Sequence, residues 1–126
     1  MTPEEFPRHF AAAFGAQDAA ALAALIAPTG SAQTLTGAWA ESRAEAEAAF
    51  AAEAAGIFAR AKLVTGKGTL TPLGPETTLL RQRFVVSGAV AEDGTDLPRI
   101  AAMLVAVLAQ RGEACHAISL TFTAIG

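Results

Sequence analysis

At 126 residues and a net charge of −3, the chain is expected to form one domain, 1–126, with no basic patch for nucleic acid. It is 52 % hydrophobic and 17 % charged, the balance of a globular protein with a large core, and its one cysteine, Cys115, excludes a disulfide framework or a cysteine-rich metal site. The start, Met1-Thr2-Pro3-Glu4-Glu5, lacks the basic-then-apolar signal-peptide pattern, and the apolar stretch 100–109 between Arg99 and Arg111 is too short to span a bilayer. A cytoplasmic protein with no membrane partner is the expectation.

Thr2-Pro3-Glu4-Glu5 carries a capping hydroxyl, a proline at the first helical position and acids in the first turn. It predicts a helix to about Ala13 or Phe14, with Phe6, Phe10, Ala13 and Phe14 on one face. Gly15 breaks it. Asp18 caps a second helix over 19–27, ended by Pro28 and Gly30. Residues 31–36 can form a short strand that Gly37 ends, with Trp39 in the connection beyond. Ser42 and Glu45 form a capping box that opens a long helix from 43 to about 60, with Phe50, Ile57 and Phe58 on one stripe.

From about residue 61 the period changes. Residues 62–71 read as a strand bent at Gly66 and Gly68, and 72–75 as a turn. A long strand over 77–91 leads into Glu92-Asp93-Gly94-Thr95, a strong hairpin turn. Two apolar segments, 100–109 and 114–123, flank a turn at Arg111-Gly112 and form the last hairpin. The fold class is therefore α+β: three helices and an early strand, then a four-stranded antiparallel meander.

Turn chemistry phases these strands. If Asp93-Gly94 and Arg111-Gly112 are two-residue turns, Phe84 falls opposite Met103, and Met103 opposite Leu120. Leu80, Gln82, Phe84, Val86, Met103, Val105, Val107, His116, Ile118, Leu120 and Phe122 then share the face against the helices. The other face holds Arg81, Arg83, Ile100, Leu104, Leu108 and Thr121. An apolar patch of Ile100, Leu104 and Leu108 would not be left bare, so a homodimer through the outer sheet face is expected, with Ile100, Leu104, Leu108 and Thr121 at the interface. A bulge in either hairpin would invert part of this phasing.

The order of helix, Asp-capped short helix, short strand, long helix and curved antiparallel sheet resembles the NTF2-like, cystatin-related cone fold. The residues that carry the resemblance are Phe14-Gly15-Ala16-Gln17-Asp18-Ala19, the Gly37…Ser42-Arg43 entry to the long helix, Thr78-Leu79-Leu80-Arg81-Gln82-Arg83-Phe84 and Arg111-Gly112-Glu113-Ala114-Cys115-His116-Ala117-Ile118. More narrowly the chain resembles the SnoaL-like/DUF4440 group, including the SgcJ/EcaC-type proteins. It departs from that pattern at Cys115, where a Trp is frequent, at Thr121-Phe122-Thr123, where a His-Asn-Thr is frequent, and at Ser42, where a Gly commonly precedes the Arg.

The resemblance implies a cone between helices and sheet, lined here by Phe14, Trp39, Phe50, Phe58, Phe84, Met103, Leu120 and Phe122. These residues either line a pocket for a small apolar molecule or fill a core. On the inward face Gln82 and His116 are the polar candidates, the imidazole as a general base and the amide as an orienting group, or both as satisfied structural residues. Enzymes of this fold, such as ketosteroid isomerase, polyketide cyclases and limonene epoxide hydrolase, hold Asp, Tyr or Asp–Arg groups in the cone. This chain has no tyrosine, and its strands place no acid inward under the phasing above. No metal-ligand cluster or phosphate-cradling loop stands out, so neither metal nor cofactor is expected. Three readings follow: a small-molecule-binding protein, an isomerase, cyclase or hydrolase with His116 as base, and a dimeric interaction module with a closed core.

Overall fold

A computed structural model describes residues 1–125. A 3-10 turn, Pro3–Glu5, runs into helix α1, Phe6–Gly15. The backbone N–H of Thr2 donates to Glu5 Oε1 at 3.0 Å and that of Glu5 to the Thr2 carbonyl at 3.1 Å, so the helix start satisfies itself. Phe6, Phe10 and Phe14, four residues apart, form the buried stripe of α1. Helix α2 spans Ala19–Ala24, with the Asp18 carboxylate accepting from the N–H of Ala21 at 3.0 Å.

Strand β1 follows at once, Ile26–Gln33, and is longer than the sequence indicates. It is interrupted between Ile26 and Ser31, where Pro28 needs no ladder partner. Gly30 lies so close beneath the chain that a Cβ would sit 2.9 Å from the Ala117 carbonyl oxygen. Strand β2 is only Trp39–Ala40. Helix α3, Arg43–Ala55, opens with the Ser42 hydroxyl accepting from the N–H of Glu45. It stops five residues earlier than the periodicity predicts, because Gly56 leaves the helical conformation (φ −124°, ψ −110°) and turns carry Phe58 to the core.

The remaining strands are β3, Lys62–Gly74, β4, Thr77–Ser87, β5, Ile100–Arg111, and β6, Ala114–Ala124. They form one six-stranded sheet in the order β2-β1-β6-β5-β4-β3, antiparallel except where β1 runs parallel to β6. The three helices cover one face, and one buried cluster joins them to the sheet. The fold class is α+β as expected, and the 62–123 region is the meander the turns predict. No helix among the described residues is long and apolar enough to cross a membrane.

The phasing of β4 holds and that of β5 does not. Leu80, Gln82, Phe84 and Val86 point inward, but Phe84 pairs with Ala102 and not with Met103. The cause is one residue in the connection. Ala91 N–H bonds to the Thr95 carbonyl and Gly94 N–H to that of Ala91, with Gly94 at φ +85°. This is a three-residue loop closed by a left-handed glycine, not a two-residue turn, and the extra residue reverses every side chain of β5. Leu104 and Leu108 are therefore core residues, 0 % and 1 % exposed, and Ile100 packs against the core. None of the three lies on the outer face where the sequence puts them. Met103, Val105 and Val107 take that place, half-buried.

In β6 the turn sits one residue later, at Gly112-Glu113, with Arg111 opposite Ala114 and Gly112 at φ +61°. Ladder pairs then run Leu108–Ala117 and Val107–Ser119, so Ile118 is the extra residue of a bulge. Before the bulge Cys115 and Ala117 face inward. Beyond it Leu120 and Phe122 do, as expected, while Thr121 stays outside. His116 and Ile118 leave the inward face.

Candidate functional site: the interior of the cone

The space between helices and sheet is occupied by phenylalanine. Phe10 and Phe14 come from α1, Phe58 from the turn after α3, Phe84 from β4 and Phe122 from β6. Phe122 stands edge-on to Phe10, Phe14 and Phe84, with ring centroids 5.3, 6.1 and 6.1 Å away. Phe14 lies 5.2 Å from Phe58, and Phe10 lies 6.0 Å from Phe84. These are the separations of rings in contact, and all five side chains are buried. A partly open cleft beside the rings, lined by Phe14, Gln17, Leu22, Phe50, Glu53, Ala54 and Phe58, measures about 10 Å³. That is room for a single water at most.

Of the expected lining, Phe14, Phe50, Phe58, Phe84, Leu120 and Phe122 meet inside the cone. Met103 points to the other side of the sheet with the rest of odd-numbered β5. Trp39 is 63 % exposed at the sheet edge, because its neighbour Ala40 takes the inward position opposite Ala32. The two catalytic candidates are not brought together. His116 pairs with Ala109 on the outer face, out of reach of the cone. Gln82 is inward and buried, but its Nε2 donates to the carbonyls of Gly66 at 2.9 Å and Arg83 at 3.0 Å. Its amide fastens the bulge of β3 between Thr65 and Gly68 and has no free donor for a ligand.

Two polar residues at the helical end of the cone escaped the sequence reading. Glu53 is 7 % exposed and lines that cleft. It lies one turn after Phe50 on α3, and that i+3 spacing from a core aromatic is the signal that could have placed it. Its Oε2 accepts from the Thr36 hydroxyl and, at 3.3 Å, from the Thr36 N–H, so the carboxylate holds the turn between β1 and β2. Gln17 sits at φ +54°, where side chains are rare, and donates from Nε2 to three carbonyls: Ala61 at 3.0 Å, Phe14 and Phe58 at 3.3 Å. It closes the cone by tying the α1–α2 turn to the segment before β3. Cys115 is buried and its thiol is pushed above its ordinary pKa by burial, the opposite of an activated nucleophile. The amide donors of Gln17 and Gln82 are thus engaged by backbone carbonyls, and Glu53 by the hydroxyl and N–H of Thr36.

Neither a protein-family model nor a curated protein matches the sequence. Solved structures do match. An uncharacterised protein with a cystatin-like fold from Caulobacter vibrioides is 19 % identical with a TM-score of 0.85, covering 98 % of this chain and 87 % of that one. An NTF2-like protein with a cystatin-like fold from Novosphingobium aromaticivorans is 19 % identical with a TM-score of 0.74, covering 97 % and 78 %. A protein of unknown function with a cystatin-like fold from Nostoc punctiforme is 15 % identical with a TM-score of 0.75, covering 97 % and 87 %. At these identities the likeness establishes the fold and nothing beyond it: the chain has the cystatin-like fold of NTF2-like proteins.

Proposed function

We propose that this chain is a self-pairing interaction module whose cone is closed and whose working surface is the outer face of the sheet. The observation that carries the reading is the filled cone: Phe10, Phe14, Phe58, Phe84 and Phe122 are buried with their rings in contact, and the cleft beside Phe14 and Phe58 measures about 10 Å³. A small apolar ligand there would first have to displace Phe14 or Phe122. An isomerase, cyclase or hydrolase would need a base open to a substrate, and His116 is on the far side of the sheet while Gln82 is engaged.

The outer face has the makings of an interface. Leu79, Val85, Met103, Val105, Val107 and Ala109 form a half-buried apolar centre, with Thr121 beside them on β6. Strand spacing of ~4.8 Å and ~6.7 Å between same-face residues give each position ~30 Å², so about twenty outward positions make roughly 600 Å² of flat footprint. Side chains roughen that towards the ~800 Å² per partner of a standard stable interface. The dimer contact that the sequence places at Ile100, Leu104 and Leu108 thus passes to Met103, Val105 and Val107, with Thr121 retained.

The test is Val105→Lys, which puts a charge at the centre of the face without touching the core. Sedimentation velocity should show a dimer for the wild type and a monomer of unchanged circular dichroism for the variant. A variant that still dimerises contradicts the reading. Should Val105→Lys not fold, Val107→Lys asks the same question one position away.

A further inference from the structure

The outer face carries its large and charged side chains unevenly. One ladder row runs Trp39–Gln33–Thr121–Val105–Arg81–Thr69 across all six strands. At one end stands the exposed indole of Trp39, its Nε1 donating to Glu41 Oε1 at 3.3 Å. At the other are Arg81 and, in the next row, Arg83, with Lys67 on β3 lining the same depression. Ion pairs among the described residues join Arg8 to Glu5 and Arg60 to Asp96, and none of them engages these three cations. Between the two ends, near this row, β6 presents Ser119, Thr121 and Thr123, with His116 and the bulged Ile118 further towards the β5–β6 turn.

Resting on the pairing proposed above, we infer that the partner is a second copy related by a two-fold axis along β6, which sets Trp39 and Glu41 of each chain against Arg81 and Arg83 of the other. Two sheets packed face to face can be related by an axis along the strands or across them. An axis across the strands would lay Arg81 on its own copy and Trp39 on its own copy, a like-charge contact in a desolvating interface. An axis along the strands reverses the lateral order and keeps the height along each strand. With the axis on β6, β5 meets β1 and β4 meets β2. The row then closes on itself: Thr121 against Thr121, Val105 against Gln33, Arg81 against Trp39.

The chemistry of the two ends fits that pairing. A guanidinium over an indole is a favourable cation–π contact, and Glu41 supplies the acid. The small hydroxyl residues of β6 let the sheets approach at the axis. A crossing of about 30° between twisted sheets displaces strands two places from the axis by roughly 5 Å, a distance that the long side chain of Arg81 spans to reach Trp39. An axis on β5 would leave Trp39 uncovered.

Trp39 is the chain's one tryptophan, which makes the test direct. On dilution of the wild type its emission should move to the red in step with dissociation measured by sedimentation. Arg81→Glu should weaken the dimer at least tenfold, and the double variant Arg81→Glu/Glu41→Arg should recover most of that loss. In a Cys115→Ala background, oxidised Thr121→Cys should link into a covalent dimer, whereas Arg81→Cys, some four strand spacings from its own copy, should not. A dimer in which Trp39 emission does not follow dissociation, or in which Arg81→Cys links to itself, overturns the axis and leaves the module reading standing. A wild type that sediments as a monomer removes both.

Discussion

Replacing Phe122 with alanine asks whether the cone is a core or a pocket. The side chain is 2 % exposed and its ring contacts three others, Phe10, Phe14 and Phe84. A buried Phe→Ala change costs about 3–5 kcal/mol in transfer and cavity terms. Each aromatic pair adds roughly 0.5–1.5 kcal/mol beyond area burial, so the upper end of that range applies, about 5 kcal/mol. Domains of this size have a total stability of ~5–15 kcal/mol, so the variant should stay folded only if the wild type is well above the lower bound, with Tm lowered by roughly 15–20 °C. The void should be dry and apolar, the kind that takes benzene. Differential scanning fluorimetry with benzene or indole should then raise the Tm of Phe122→Ala and leave that of the wild type unchanged. A ligand held at a hundredfold its Kd returns about 2.7 kcal/mol, which is readily seen. If the wild type gains as much from the same ligands, the cone is open in solution and the closed-core account fails.

Three further outcomes follow from local geometry. A Cβ on Gly68 would overlap the Gln82 amide, so Gly68→Ala should destabilise by about 1–3 kcal/mol, whereas in a Gln82→Ala background the same change should cost under ~1 kcal/mol. Equal costs in urea unfolding would separate the two residues. Hydrogen bonds from Thr95, side chain first and then backbone, hold the Asp93 carboxyl below its ordinary pKa. Its contribution is thus present above that ordinary value and lost as pH falls through the lower folded one. The unfolding midpoint of Asp93→Ala should trail the wild type at pH 6 and meet it near pH 2, and a gap independent of pH would refute the coupling. Burial keeps Cys115 protonated and covered, so an aromatic disulfide reagent at pH 8 should label it only as fast as the chain opens. Labelling within the mixing time would contradict the packing of β6 against α1.

Much of the architecture is written in short-range signals. Asp18 and Ser42 cap the helices they were expected to cap, and the i, i+4, i+8 phenylalanines of α1 do face the sheet. The inward set of β4 could be read because Phe84, Leu80 and Val86 alternate with Arg81, Arg83 and Ser87. The face of β5 could not, since Met103, Val105 and Val107 are as apolar as Ala102, Leu104 and Leu108. With no polar alternation to fix it, phase rested on the length of one loop. Asp93-Gly94 suits a two-residue turn and a three-residue loop alike, and the structure uses the latter. The reversed phase of β5 carries His116 to the outer face through the β5–β6 turn, and the bulge at Ile118, which has no sequence mark of its own, returns Leu120 and Phe122 to the inner one. Gln17 and Glu53 went unseen for another reason: each serves backbone groups supplied by remote segments, Phe58 and Ala61 in one case and Thr36 in the other.

The account stands on the outer face of the sheet being covered by a second chain and the inner face by the helices alone. Sedimentation equilibrium over a hundredfold range of concentration measures the first half most directly. The expected result is a mass twice the 12.8 kDa of the chain, falling towards one chain only at the dilute end, with Val105→Lys at the single-chain mass throughout. A wild type that holds the single-chain mass at every concentration would contradict it.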